Sequence, residues 1–132
     1  MADILNFIPK DTTKVKITHP VTGEQLICDD GTEMFIEVYG SDSKRYRKIQ
    51  ADIARDRNNK RNQKLSPEQI DELVTDQLAS CIAAWNIEYD GEKPLYSKDK
   101  AIEVLTEVRW IREQVAEAIN DRASFLQNAP IN

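Results

Sequence analysis

The sequence predicts an α+β fold: a small N-terminal antiparallel β-meander of three strands, packed on a helix-dominated C-terminal part with two long antiparallel helices. Three observations carry this expectation. Apolar and polar residues alternate over much of 14–40, the period of strands with one wet face. Two later stretches, 66–85 and 98–126, repeat their apolar residues every three or four positions, as amphipathic helices do. Between them, 86–97 holds Asp90-Gly91, a turn dipeptide, and Pro94, which drives Lys93 towards an extended conformation, so the chain crosses over there instead of continuing a helix.

The 132 residues suit a single domain, one able to bury roughly two-thirds of the surface its unfolded chain exposes. No run approaches the roughly 20 apolar residues that span a bilayer, and the amino terminus lacks the pattern of a signal peptide, so no membrane association is expected and the cytoplasm is the expected location. Cys28 and Cys81 stand far apart without paired spacing and read as small buried hydrophobes.

Taken in order, residues 1–13 form an arm in which Ile4, Leu5, Phe7 and Ile8 crowd together before Pro9. Its apolar side is expected to dock on the domain's own core or on a neighbouring subunit or partner. Val15, Ile17 and His19 alternate with Lys14, Lys16 and Thr18 as a first strand. Pro20-Val-Thr-Gly23 turns the chain, 26–28 reads as a second strand, and Asp29-Asp-Gly31 as another turn. Met34, Ile36 and Val38 mark a third strand and complete the meander of 14–40. Ser41-Asp-Ser43 then offers capping oxygens to a basic helix over 41–57, whose apolar stripe is only Tyr46, Ile49 and Ile53. Residues 58–65, lacking apolar side chains until Leu65 and rich in Asn, are expected to be a mobile linker.

Ser66-Pro67-Glu68-Gln69 combines a capping Ser, a Pro at the first helical position and a Gln placed to close a capping box. From it Ile70, Leu73, Val74, Leu78, Cys81, Ile82 and Trp85 hold a helical period across 66–85. After the crossover of 86–97, Ser97 caps a long helix over 98–126. Its stripe is Ala101, Val104, Leu105, Val108, Ile111, Val115, Ala118, Ile119 and Leu126.

Little in the sequence supports catalysis. A single histidine, His19, excludes any site needing two imidazoles, and four scattered glycines make no phosphate-cradling loop. Glu103, Glu107, Glu113 and Glu117 fall on the polar face of the last helix, where solvation is their ordinary role. We therefore expect no enzyme, no cofactor and no metal. Charge is more informative. The formal net charge is −5, yet 44–64 holds nine basic residues against two Asp. The basic patch Lys44, Arg45, Arg47, Lys48, Arg55, Arg57, Lys60 and Arg61, with Tyr46 placed to stack, fits a small nucleic-acid-binding protein. The acidic remainder and the lack of a recognition-helix or RNA-binding signature weigh against that reading.

Three passages resemble tail assembly chaperones of long-tailed (siphovirus-type) phages and prophages. They are His19-Pro-Val-Thr-Gly-Glu24, Val38-Tyr-Gly-Ser-Asp-Ser-Lys-Arg-Tyr-Arg47, and Trp85-Asn-Ile leading through Asp90-Gly91 and Pro94 to Ser97; the closing Asp121-Arg-Ala-Ser-Phe-Leu126 fits too. The resemblance implies a non-enzymatic protein that binds the tape measure protein, keeps it soluble before the tail tube polymerises, and is left out of the mature virion. It also implies that a frameshifted, longer form can accompany this one. The tail tube protein and further copies of the chain are the other partners in view, and a minor structural tail subunit is the alternative role. An aromatic group, Trp85, Tyr89, Tyr96 and Trp110, is the expected partner-binding set.

Overall fold

A computed structural model describes residues 3–8, 10–59 and 64–121. The fold is α+β, with a three-stranded antiparallel sheet and four helices. The strands are β1 (Thr12–Lys16), β2 (Phe35–Tyr39) and β3 (Ile82–Asn86), in that spatial order. The helices are α1 (Lys44–Asn59) and α2 (Pro67–Ser80), both lying between β2 and β3 in sequence, then α3 (Lys98–Glu107) and α4 (Arg109–Ile119). A short 3-10 turn, Ile4–Phe7, precedes the sheet, started by Asp3, whose carboxylate accepts from the Leu5 amide at 3.0 Å.

Alternation decides which side of the sheet is buried. Val15, Ile17, Ile36, Val38 and Ile82 share the face turned to the helices, and all but Val15 are buried outright. Lys14, Lys16, Phe35 and Glu37 take the other face, where Lys14 lies over the Phe35 ring at 4.8 Å. Against the buried face sit Leu78 and Ala79 of α2, Ala101, Val104 and Leu105 of α3, and Ile111, Val115 and Ile119 of α4. Helix α1 adds Ile49 to this cluster, with Tyr46 and Ile53 packed beside it. Between Glu37 and Val38 the β2–β3 register shifts and Ala83 goes unpaired, a bulge that bends β3 locally.

Several expectations hold. Ser43 caps α1 by accepting from the Tyr46 amide at 3.0 Å. Ser66 closes its capping box with Gln69 through bonds of 3.2 and 2.8 Å, and Ser97 accepts from the Lys100 amide at 3.1 Å. Asp90 and Gly91 both take positive φ, 54° and 77°, between mutually bonded Tyr89 and Glu92, the turn that suits a two-residue hairpin. Both cysteines are free and buried, and burial pushes the Cys81 thiol up to about 11. Helices α2 and α3 run antiparallel. The Tyr96 hydroxyl, just before α3, donates to the Ala79 carbonyl, Lys98 of α3 pairs with Asp76, and Arg109 and Arg112 of α4 reach Asp71, so contacts descend along α2 as they ascend from Tyr96 through α3 into α4.

Other expectations are corrected. The expected second strand of the meander, 26–28, is not a strand of the sheet; its place is taken by Ile82–Asn86, mostly from within the stretch assigned to the helix of 66–85. At 26–28 only isolated bridges form, because Leu26 binds both Ile17 and Met34 while the Gln25 side chain donates to carbonyls that a longer ladder would use. Helix α2 ends at Ser80 because the second edge of β2 needs a partner, and Ile82 and Trp85 suit a strand as well as a helix stripe. The helix expected over 98–126 breaks at Val108 (φ −114°, ψ 84°) and resumes as α4 to Ile119; residues 122–126 lie outside the described residues. Helix α1 runs through Asn59, so 58 and 59 belong to it and not to a linker, while 60–63 lie outside the described residues. The arm's Ile4, Leu5 and Ile8 are exposed, not docked on the core.

Leu105 of α3, fully buried in the hydrophobic cluster, sets the scale of the core. Truncation of a buried Leu loses both its transfer energy and its packing, so Leu105→Ala should lower the unfolding free energy by about 2–5 kcal/mol in urea titration.

Candidate partner-binding surfaces

The four aromatic residues singled out by the sequence divide in two. Trp85 and Tyr96 meet edge-to-face with ring centroids 5.3 Å apart. The Trp85 indole donates to the Pro94 carbonyl at 2.9 Å and the Tyr96 hydroxyl to the Ala79 carbonyl at 3.2 Å. This pair closes the crossover onto β3 and the end of α2, which is the work of a clamp. Tyr89 and Trp110 are apart from it. Tyr89 lies under the Lys100 ammonium at 5.0 Å, and Trp110 is a half-buried neighbour of the core. All four pack against the hydrophobic cluster, and none forms a fully exposed anchor.

Sequence reasoning missed the surface that α2 leaves uncovered. Its buried residues are Thr75, Leu78 and Ala79, an arc turned roughly 140° around the helix from Ile70, Leu73 and Val74 at 100° per residue. Those three remain 43%, 37% and 39% exposed. The helical period is real, but the stripe is split between two faces. The signal was the polar Thr75 within the run: it sits in the core because its hydroxyl donates to the Asp71 carbonyl at 2.9 Å and so carries no unmet polar group inside. Hydropathy alone reads such a Thr as outward-facing.

Asp71 fixes the rotation of α2. Its carboxylate accepts from Arg112 at 2.6 Å and from Arg109 at 3.2 Å, joining the first turns of α2 and α4. The two guanidiniums, Arg112 first, hold its carboxyl below the usual carboxylate range. A second polar joint ties the 28–33 turn to the crossover: Lys93 donates to Asp30 at 2.6 Å, and Asn86 to the Thr32 hydroxyl and the Glu33 carbonyl. The Lys93 bond, with Thr32's, holds the Asp30 carboxyl far below the ordinary range as well. His19 is exposed and structural, its Nδ1 accepting from the Val21 and Thr22 amides at 3.1 and 3.2 Å.

The basic patch is confined to α1 and beyond. Lys44, Arg45, Arg47, Lys48 and Arg55 are exposed, with Arg55 beside Asp52 at 3.8 Å and Arg47 donating to the Asp42 carbonyl. Arg57 belongs to α1, whereas Lys60 and Arg61 lie outside the described residues. Tyr46, expected to stack on bases, is half-buried against the core. Among the described residues, no helix is long and apolar enough to cross a membrane, and no cluster of His, Cys, Asp or Glu is grouped to hold a metal.

Set beside protein-family models, curated proteins and solved structures, the chain matches none of them.

The two depressed carboxylates have a common signature. A carboxyl whose folded pKa lies below its unfolded value of about 3.9 contributes stability above that pH and loses it as pH falls towards the folded pKa. Stability should therefore decline below about pH 4, and Asp71→Asn should decline less steeply there than the parent while starting lower at pH 7, as read by thermal unfolding across pH.

Proposed function

We propose that this chain is a tail assembly chaperone of a long-tailed phage: it covers an apolar helical segment of the tape measure protein and keeps it soluble until the tail tube polymerises. The action is binding, without chemistry. The observation that carries this reading is the row Ile70, Leu73 and Val74, spaced i, i+3, i+4 on α2 and left about two-fifths exposed. An amphipathic helix lays its own apolar stripe against such a row.

Magnitudes favour a transient complex. Covering the remaining exposed part of three aliphatic side chains supplies on the order of 3 kcal/mol, before the cost of association. That corresponds to millimolar binding at best. The arm adds Ile4, Leu5 and Ile8, each more exposed than the α2 residues, with Ile4 at 82%. Both surfaces together bring the sum into a range from which a chaperone can still depart. The tail tube protein, or another copy of this chain, would then take the place of the chaperone or share its surface.

Helix α1 favours a second reading, a nucleic-acid-binding protein, through five exposed basic residues on one short helix. The half-buried Tyr46 removes the stacking partner that reading needs. Retention on heparin that weakens steeply with salt would move weight to it.

Co-expression with the tape measure protein of the same genome tests the main proposal. The parent should raise the soluble yield of that protein and co-purify with it. Leu73→Asp, at a site outside the core, should keep the thermal midpoint within a few degrees and cut co-purification several-fold. Equal recovery with Leu73→Asp, or the chain found as a component of purified particles, would refute the chaperone role.

A further inference from the structure

The free edge of β1 borders a groove of about 510 Å3 whose opposite wall is the C-terminal half of α4. Lys14, Val15 and Lys16 line one side, and Gln114, Glu117 and Ala118 the other. Among the described residues β1 pairs with β2 alone, so none of their strands occupies its other edge. Hydrogen bonding at its ends fixes which main-chain groups look into the groove. Gly40 donates to the Asp11 carbonyl at 2.9 Å and Ile17 donates to the Met34 carbonyl at 3.1 Å, so the odd-numbered residues turn their amides and carbonyls towards β2. By the alternation of an antiparallel ladder, Lys14 and Lys16 turn theirs into the groove.

Two residues beyond Lys16, the same outward edge already has a partner. The Thr18 amide donates to Gln114 Oε1 at 3.2 Å, and Gln114 Nε2 donates back to the Thr18 carbonyl at 2.9 Å. A carboxamide that both accepts from and donates to one residue reproduces the pair of bonds a neighbouring strand would make. It shows that an amide group fits between the edge and α4 at strand spacing, and it leaves the Lys14 and Lys16 positions open beside it.

We infer that the edge of β1 is a docking site for an extended peptide of a partner protein, which adds a fourth strand between β1 and α4 through the main-chain groups of Lys14 and Lys16. Charge selects the side chains of that peptide. On the face away from the core, Lys14 sits opposite Glu37 and Lys16 pairs with Glu33 at 3.8 Å, so acid and base alternate across the sheet. A strand added beside the lysines continues that alternation with Asp or Glu. Its intervening residues face Val15 and Ala118, both half-buried, and fit small or β-branched apolar side chains. The partner segment is thus acidic at every second position and apolar between. A second copy of β1 fits poorly, since a twofold pairing about Lys14 would oppose lysine to lysine, the arrangement by which edges resist self-pairing. This site is separate from the α2 row and stands whether or not the tape measure protein binds there.

A fluorescein-labelled decapeptide alternating Glu and Val tests the site by anisotropy, with a Lys and Val decapeptide as control. Saturable binding of the acidic peptide, at least tenfold tighter than the control, is expected, together with slowed exchange of the Lys14 and Lys16 amides. Lys14→Pro removes an amide that the β1–β2 ladder does not use, and it should weaken binding at least tenfold with the thermal midpoint nearly unchanged. Should Lys14→Pro unfold the chain, Glu117→Trp fills the groove from an exposed helix position and should have the same effect on binding. Absence of saturable binding at millimolar peptide, or affinity unchanged in the folded variant, would overturn the proposal. So would a dimer of the parent that Lys14→Pro dissociates, since the occupant would then be a second copy.

Discussion

Strand β2 needs a neighbour on each side, and the rest of the molecule is arranged to supply them. Ile36 and Val38 are buried among the helices, so a central strand with one edge unpaired would leave main-chain donors and acceptors unmet beside the core. One neighbour, β1, comes from a nearby segment that turns back through His19 to Gly31. The other comes from Ile82–Asn86, beyond two helices, and pairs with β2 at the cost of a bulge. The termination of α2 at Ser80, the clamp of Trp85 on Pro94, and the bond from Tyr39 to the Cys81 carbonyl all serve that one return.

The surfaces left open follow from the same arrangement. Because α2 must deliver β3 to the edge of β2, its burial is governed by its last two turns, where Thr75, Leu78 and Ala79 meet the core, while Asp71, nearer its start, is held by two arginines. Its first two turns carry Ile70, Leu73 and Val74 on the opposite arc. Helix α1 meets the core through Tyr46, Ile49 and Ile53 and keeps its basic residues in water. β1, placed at the end of the strand order, keeps one edge towards α4. Three different chemistries are thus presented on three sides of a small body: aliphatic, cationic and main-chain.

Local chemistry was the legible part of the sequence. Ser43, Ser66 and Ser97 cap helices because a short hydroxyl next to an apolar-periodic run has few other uses, and Asp90-Gly91 turns the chain because few dipeptides tolerate its dihedral angles. The fold class was legible too, as were two of the three strands, β1 and β2, close to where alternation put them. What failed was everything decided by distant partners. The run from Leu78 to Trp85 satisfies helical and strand periods alike, and only the vacant side of β2 selects the strand. The apolar stripe of 98–126 passes through Val108 without a Gly or Pro to announce the break. Thr75 reads as a polar interruption until its bond to the Asp71 carbonyl is known. The expected aromatic site was half legible: Trp85 and Tyr96 do meet, but as a clamp within the fold, while Tyr89 and Trp110 stand apart from them.

The distance in sequence between β2 and β3 also bears on how the chain is made. During synthesis β1 and β2 can pair as soon as Tyr39 has left the ribosome, but β2's other edge waits until Asn86 follows, more than forty residues later. At ribosomal rates of about 5–20 residues per second that interval is a few seconds. Throughout it, a nascent chain presents Ile36 and Val38 on a half-finished sheet, open to pairing with whatever strand is nearest. The chain therefore spends its own first seconds in need of cover.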